Sequence, residues 1–124
     1  MAVVYILDDN AEFAKTLGAM CEVFGHQATS ITTAEEFIAQ MKKSQPDLVL
    51  LDMWLGDTTG IELYKSNQDI FTNVPIVMIS GGGHQIPLEA VTAMGEISGF
   101  EDVLYKPVST AQLKELLEKV IPTK

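Results

Sequence analysis

Four short apolar runs punctuate the chain, at residues 3–7, 48–51, 75–79 and 103–105, and each ends on a polar or charged residue. The first runs into Asp8 and Asp9, the second into Asp52, the third into Ser80 and the fourth into Lys106 and Pro107. The run ahead of Ser80 is wholly apolar and rich in β-branched residues, as a strand buried on both faces should be. A weaker, more polar run at 27–31 suits the edge of a sheet.

Helical spacing fills the gaps. Asn10 can cap a helix over 11–24, whose apolar residues Phe13, Leu17, Met20 and Phe24 fall three or four apart, with Gly25 as its stop. Thr33-Ala34-Glu35-Glu36 reads as a capping box that opens a second helix to Lys43, and Pro46 ends the turn that follows. A loop containing Gly56 and Gly60 leads to a short third helix over 61–66. Gly81-Gly82-Gly83 predicts a flexible loop. Pro87 can start a fourth helix with Leu88, Val91, Met94 and Ile97 inward, closed by Gly99. Ser109-Thr110-Ala111-Gln112 is a second capping box, opening a last helix that buries Leu113, Leu116, Leu117, Val120 and Ile121.

Strand and helix thus alternate five times, which predicts an α/β fold: a flavodoxin-like (βα)5 doubly wound parallel sheet of strand order 2-1-3-4-5. In such a sheet the carboxyl ends of the strands share one edge, where ligands bind. The crevice between the first and third strands would set Asp8, Asp9 and Asp52 side by side, with Ser80 and Lys106 nearby. Two like charges ~4 Å apart cost about 4 kcal/mol at an effective dielectric near 20. Three carboxylates gathered there need a counter-charge. Lys106 supplies one, and a hard divalent cation such as Mg²⁺, which takes oxygen ligands, would supply the rest.

Composition narrows the class. The 124 residues suit one domain with one core, and 47% hydrophobic with 20% charged residues is ordinary for a globular protein. The eight basic residues are all lysines against 17 acidic ones, a net charge of −9. This argues against nucleic acid and against an anionic membrane surface as partners. Cys21 is the only cysteine, so no internal disulfide can form, and the apolar N-terminal run stops at Asp8, unlike a signal peptide. These features give the expectation of a cytoplasmic, single-domain chain over 1–124 with no output domain. His26 and His84 read as turn and loop residues.

Taken together, Asp8-Asp9, the Leu-Leu-Asp52-Met stretch with Gly60 eight residues on, Ile79-Ser80-Gly81 and the segment from Gly99 to Pro107 resemble the receiver domain of two-component response regulators. The resemblance covers the whole chain. It implies that Asp52 accepts a phosphoryl group from a phosphohistidine on a sensor histidine kinase or a histidine phosphotransfer protein. Asp9 and Asp52 would ligate Mg²⁺, with Mn²⁺ as a substitute, the Trp54 carbonyl would be a third ligand, and Asp8 would hold a metal-bound water. Lys106 would pair with a phosphoryl oxygen, Ser80, beside Gly81, would donate a hydroxyl hydrogen bond to another, and Pro107 matches a cis-linked proline. Such a protein is not a conventional enzyme; it catalyses its own phosphorylation and dephosphorylation. The output would be a changed surface on the fourth helix, fifth strand and fifth helix, read by a downstream protein target.

Three departures from the family pattern stand out. Val103 occupies the position of the usual aromatic switch residue, and Tyr105, two residues on, faces the same side of the strand. Trp54 puts a bulky indole where the family tunes water access. The span from Ser80 to Lys106 is longer than usual, and Gly56 replaces a frequent proline. Competing readings are weaker. A haloacid dehalogenase-type phosphatase wants a second Asp two positions after the nucleophile, where this chain has Trp54. A Ser-His-Asp hydrolase wants glycines in a Gly-x-Ser-x-Gly pattern around its serine. A flavodoxin proper needs a phosphate-binding loop where this chain is acidic. A phosphorylation-independent binding module would not need the complete set of five residues.

Overall fold

The computed structural model describes residues 2–56, 58–81 and 100–121. Five strands form one parallel sheet: β1 (Val3–Leu7), β2 (Gln27–Ile31), β3 (Leu48–Asp52), β4 (Ile76–Ser80) and β5 (Phe100–Tyr105), in the spatial order β2-β1-β3-β4-β5. Between them lie α1 (Ala11–Val23), α2 (Ala34–Lys43) and α3 (Gly60–Ser66), and the C-terminal helix (Thr110–Val120) follows β5. The predicted fourth helix from Pro87, together with His84, lies outside the described residues.

Alternation along the strands divides the core into two layers. Tyr5, Leu7, Val49, Leu51, Ile76 and Met78 pack with Phe37 and Met41 of α2 and Leu63 of α3. Val4, Ile6, Leu48, Leu50, Val77, Ile79 and Leu104 pack with Ala14, Leu17 and Cys21 of α1 and with Leu113, Leu116 and Leu117 of the C-terminal helix. Every residue of β3 and β4 is buried, so helices cover both faces of the central strands. The polar strand β2 sits at the edge, as its sequence requires.

The helix starts follow their caps. Asn10, Thr33, Thr59 and Ser109 each accept a hydrogen bond from the backbone N–H three residues on. Of the two predicted capping boxes, the one at Ser109 closes in both directions with Gln112, whereas Thr33 makes only the bond from the Glu36 N–H.

One sequence expectation needs correction, and one element is new. The predicted stripe of α1 is rotated: Ala14, Leu17, Gly18 and Cys21 are buried, while Phe13, Met20 and Phe24 are only half-buried. Small side chains let the helix lie close to the sheet, and the larger ones are displaced to its flanks. A 3₁₀ turn (Gln68–Phe71), not foreseen, follows α3 and buries Ile70 and Phe71. The Phe71 ring centroid lies 5.8 Å from that of Phe37 and 5.2 Å from that of Tyr64.

Candidate functional site

Register decides which strand ends meet. Leu7 pairs with Leu51 and Leu51 with Met78, so Asp8 and Asp52, each one residue further on, arrive side by side. Asp52 then pairs with Ile79, Ile79 with Leu104 and Ser80 with Tyr105, which brings Lys106 to the same edge. Asp8, Asp9 and Asp52 each place a carboxylate oxygen within 4.8 Å of the others. Lys106 Nζ lies 2.9 Å from Asp8 Oδ2 and 3.7 Å from Asp52 Oδ1.

The carboxylates differ in environment. Asp9 is exposed, whereas Asp8 is fully buried and Asp52 only 4% exposed. Asp8 Oδ1 accepts a hydrogen bond of 2.8 Å from the Asn10 N–H. Its Oδ2 has the Lys106 ion pair but accepts no aligned hydrogen bond. Burial, reinforced by the charge of Asp8, pushes the Asp52 carboxyl up to about 7; Lys106 pulls it down, Asp9 raises it, and a hydrogen bond from the Trp54 backbone N–H lowers it. The lone thiol, Cys21, is also buried and pushed up to about 11 by burial, beyond the range of a reactive thiolate.

The local backbone is shaped around Asp52. Two backbone bonds close the segment after Asp52, the Gly60 N–H donating to the Met53 carbonyl at 2.9 Å and the Leu55 N–H to the Thr58 carbonyl at 3.0 Å. A Cβ on Gly60 would stand 2.6 Å from the Asp52 carbonyl oxygen, so only glycine fits eight residues past this carboxylate. Gly81 has φ +142°, and a Cβ there would meet Lys106 Cβ at 2.8 Å. The Lys106 N–H donates to the Ser80 carbonyl at 2.7 Å, and the Lys106–Pro107 peptide bond is cis.

Ser80 is buried at the end of β4, one register step from Asp52. Trp54 is half-buried, and its ring packs against the core layer that includes Leu51 and Met53. Val103 is half-buried against the same layer, and Tyr105 is 55% exposed. His26 lies in the turn between α1 and β2, where its Nδ1 accepts from the Ala2 N–H at 3.1 Å. Phe13, assigned to the core from spacing alone, packs half-buried on the edge of the core layer and also sets its ring centroid 4.4 Å from Lys106 Nζ. The only sequence signal for this was its place in the first turn of α1, four residues past Asp9.

A divalent cation fits this arrangement. The donors are all carboxylate oxygens, which hard cations prefer, and the buried Asp8 Oδ2 has acceptor capacity to spare. The edge therefore combines a carboxylate cluster able to take a cation, a buried carboxylate of raised pKa and a lysine ammonium.

Residues 4–118 match the family model described as the response regulator receiver domain. The chain is 28% identical over 120 residues to the phosphate regulon transcriptional regulatory protein PhoB of Pseudomonas aeruginosa, covering 95% of this chain but 51% of PhoB. It is 29% identical over 119 residues to the chemotaxis protein CheY of Thermotoga maritima, covering 94% of this chain and 95% of CheY. The crystal structure of the receiver domain of NtrX from Brucella abortus superposes with a TM-score of 0.81 at 27% identity, covering 98% of this chain and 99% of that one. This chain thus spans about half the length of PhoB and nearly all of CheY. No helix among the described residues is long and apolar enough to cross a membrane.

Proposed function

This chain belongs to the response regulator receiver domain family, and from that premise we propose that it is a phosphorylation switch whose acceptor is Asp52. The donor is a phosphohistidine on a sensor histidine kinase or a histidine phosphotransfer protein in the cytoplasm. An Asp52 oxygen forms the new P–O bond. The P–N bond to the donor breaks, and its electron pair stays on the imidazole nitrogen. The observation that carries this reading is the convergence of Asp8, Asp9 and Asp52 within 4.8 Å, with Lys106 in contact with two of them.

A carboxylate is a weak nucleophile, so positioning and neutralisation must supply most of the catalysis. Asp8, Asp9 and Asp52 would hold Mg²⁺, or Mn²⁺ in its place, which supplies positive charge to the transferring phosphoryl oxygens. Lys106, a compact point charge, meets a further phosphoryl oxygen. Its charge also favours the ionised Asp52 that burial disfavours. Ser80, buried beside Asp52, donates its hydroxyl to the phosphoryl group once that group is present. Ser80 is the register partner of Tyr105, and this supports a readout through Tyr105, the exposed aromatic of β5, toward a downstream protein.

Intact-mass spectrometry after incubation with Mg²⁺ and acetyl phosphate tests the proposal. We expect a gain of one phosphoryl group, mapped to Asp52, absent without the metal and absent in Asp52→Asn. Phosphorylation elsewhere, or turnover of the phosphodonor without a covalent adduct, would defeat it.

A further inference from the structure

Lysine is a poor residue for fixing a charge in space, because its ammonium sits on four flexible carbons and is strongly hydrated. In this site the Lys106 side chain is nevertheless only 20% exposed. Its ammonium is enclosed on one side by Asp8 at 2.9 Å and Asp52 at 3.7 Å. On another side lies the ring of Phe13, 4.4 Å from Nζ. An aromatic face carries negative electrostatic potential and attracts a cation at this distance. Aliphatic groups of similar bulk would displace water from the ammonium without offering that attraction.

The position of the ring is not independent of the carboxylates. The Asn10 N–H donates to Asp8 Oδ1 at 2.8 Å, and the Asn10 side chain accepts from the Phe13 N–H at 3.0 Å. The same cap that orients Asp8 therefore fixes the first turn of α1, on which Phe13 stands. Phe13 also lies on the flank of α1, half-buried against the layer that Ala14, Leu17 and Cys21 fill.

We propose that Phe13 is a positioning residue for phosphoryl transfer, its ring face holding the Lys106 ammonium where a phosphoryl oxygen must arrive. This rests on the reading of Asp52 as phosphoacceptor. The chain Asp8–Asn10–Phe13 then acts as one unit. One end of it orients a carboxylate of the cation site, and the other constrains the lysine that serves the phosphoryl group. When the phosphoryl group replaces Asp8 as the partner of Lys106, the ring limits how far the ammonium swings.

The test compares Phe13→Leu, which keeps apolar bulk, with Phe13→Tyr, which keeps the aromatic face. Two quantities are measured in each protein. One is the rate constant for Asp52 phosphorylation by acetyl phosphate at saturating Mg²⁺. The other is the NMR shift of the Lys106 ε-methylene protons, which a ring face moves upfield. We expect Phe13→Leu to slow phosphorylation roughly three- to ten-fold and to abolish the upfield shift. Phe13→Tyr should keep both near the wild-type values. The proposal is overturned by a Leu variant that reacts at the wild-type rate. It is equally overturned by one that slows while the lysine shift is unchanged, or by a Tyr variant as slow as Leu, because those results describe packing alone. If wild-type protein takes up no phosphoryl group at Asp52, the functional reading fails, and the lysine shift still reports whether the ring contact exists.

Discussion

Lys106 stands closer to Asp8 than to Asp52, with Nζ to Oδ distances of 2.9 and 3.7 Å, and Asp8 is the more deeply buried of the two acids. The lysine therefore compensates first the carboxylate that can least reach water. Replacing it leaves an uncompensated charge in the interior. Because Lys106 itself is partly exposed, Lys106→Met should destabilise the metal-free protein by about 2 kcal/mol. Urea unfolding in EDTA measures this. An unchanged midpoint would show that Asp8 is satisfied without its partner.

The raised pKa of Asp52 has a defined consequence for pH. Burial lifts its carboxyl from 3.8 to about 7. Between those values the folded state binds a proton that the unfolded state has released, so stability falls as pH rises from about 4 to 7 and levels off above. Asn at this position does not titrate. Asp52→Asn should thus melt higher than wild type in metal-free buffer at pH 8, by on the order of 2–4 kcal/mol or several degrees. The gap should close toward pH 4. Thermal unfolding of both proteins across this range checks the sign; a gap that widens on acidification would contradict it.

Magnesium should reverse the same penalty. A ligand that binds only the folded state at ~100 times its dissociation constant adds about 2.7 kcal/mol. We expect Mg²⁺ to raise the melting temperature of wild type by several degrees, EDTA to remove the gain, and Asp52→Asn to lose most of it. Half-buried Trp54, whose backbone N–H bonds the Asp52 carboxylate, should report the binding by its fluorescence.

Glycine at 60 is a steric requirement of the site. With 2.6 Å between a built Cβ and the Asp52 carbonyl oxygen, Gly60→Ala must push either α3 or the end of β3 aside. A cost of about 1–3 kcal/mol is expected, together with slower phosphorylation of the displaced Asp52. Chemical denaturation and the acetyl phosphate assay read the two effects separately. A variant with wild-type stability would show that the loop relaxes freely.

Trp54 should slow hydrolysis of the phosphorylated form, because a bulky indole two residues past the acceptor limits water access. Trp54→Asn is expected to shorten the lifetime of the acyl phosphate, followed by loss of the adduct mass with time. Equal lifetimes in the two proteins would assign the ring to core packing, which its contacts with the layer around Leu51 and Met53 also permit.

Much of this protein was legible in its sequence. Apolar strand runs, capping residues and their alternation determined an α/β sheet with Asp8, Asp9, Asp52, Ser80 and Lys106 at strand ends, because period and cap chemistry are local properties. The flank position of Phe13 was not legible, since helical spacing alone does not say whether small or large residues face the sheet. The 3₁₀ turn carrying Ile70 and Phe71 left no periodic signal. Only the tertiary register set which strand ends became neighbours, how deeply each carboxylate was buried and which of them Lys106 met first. Those quantities depend on packing between segments far apart in the chain, and it is they that turn a set of acidic and basic letters into a site with a raised pKa and a constrained lysine.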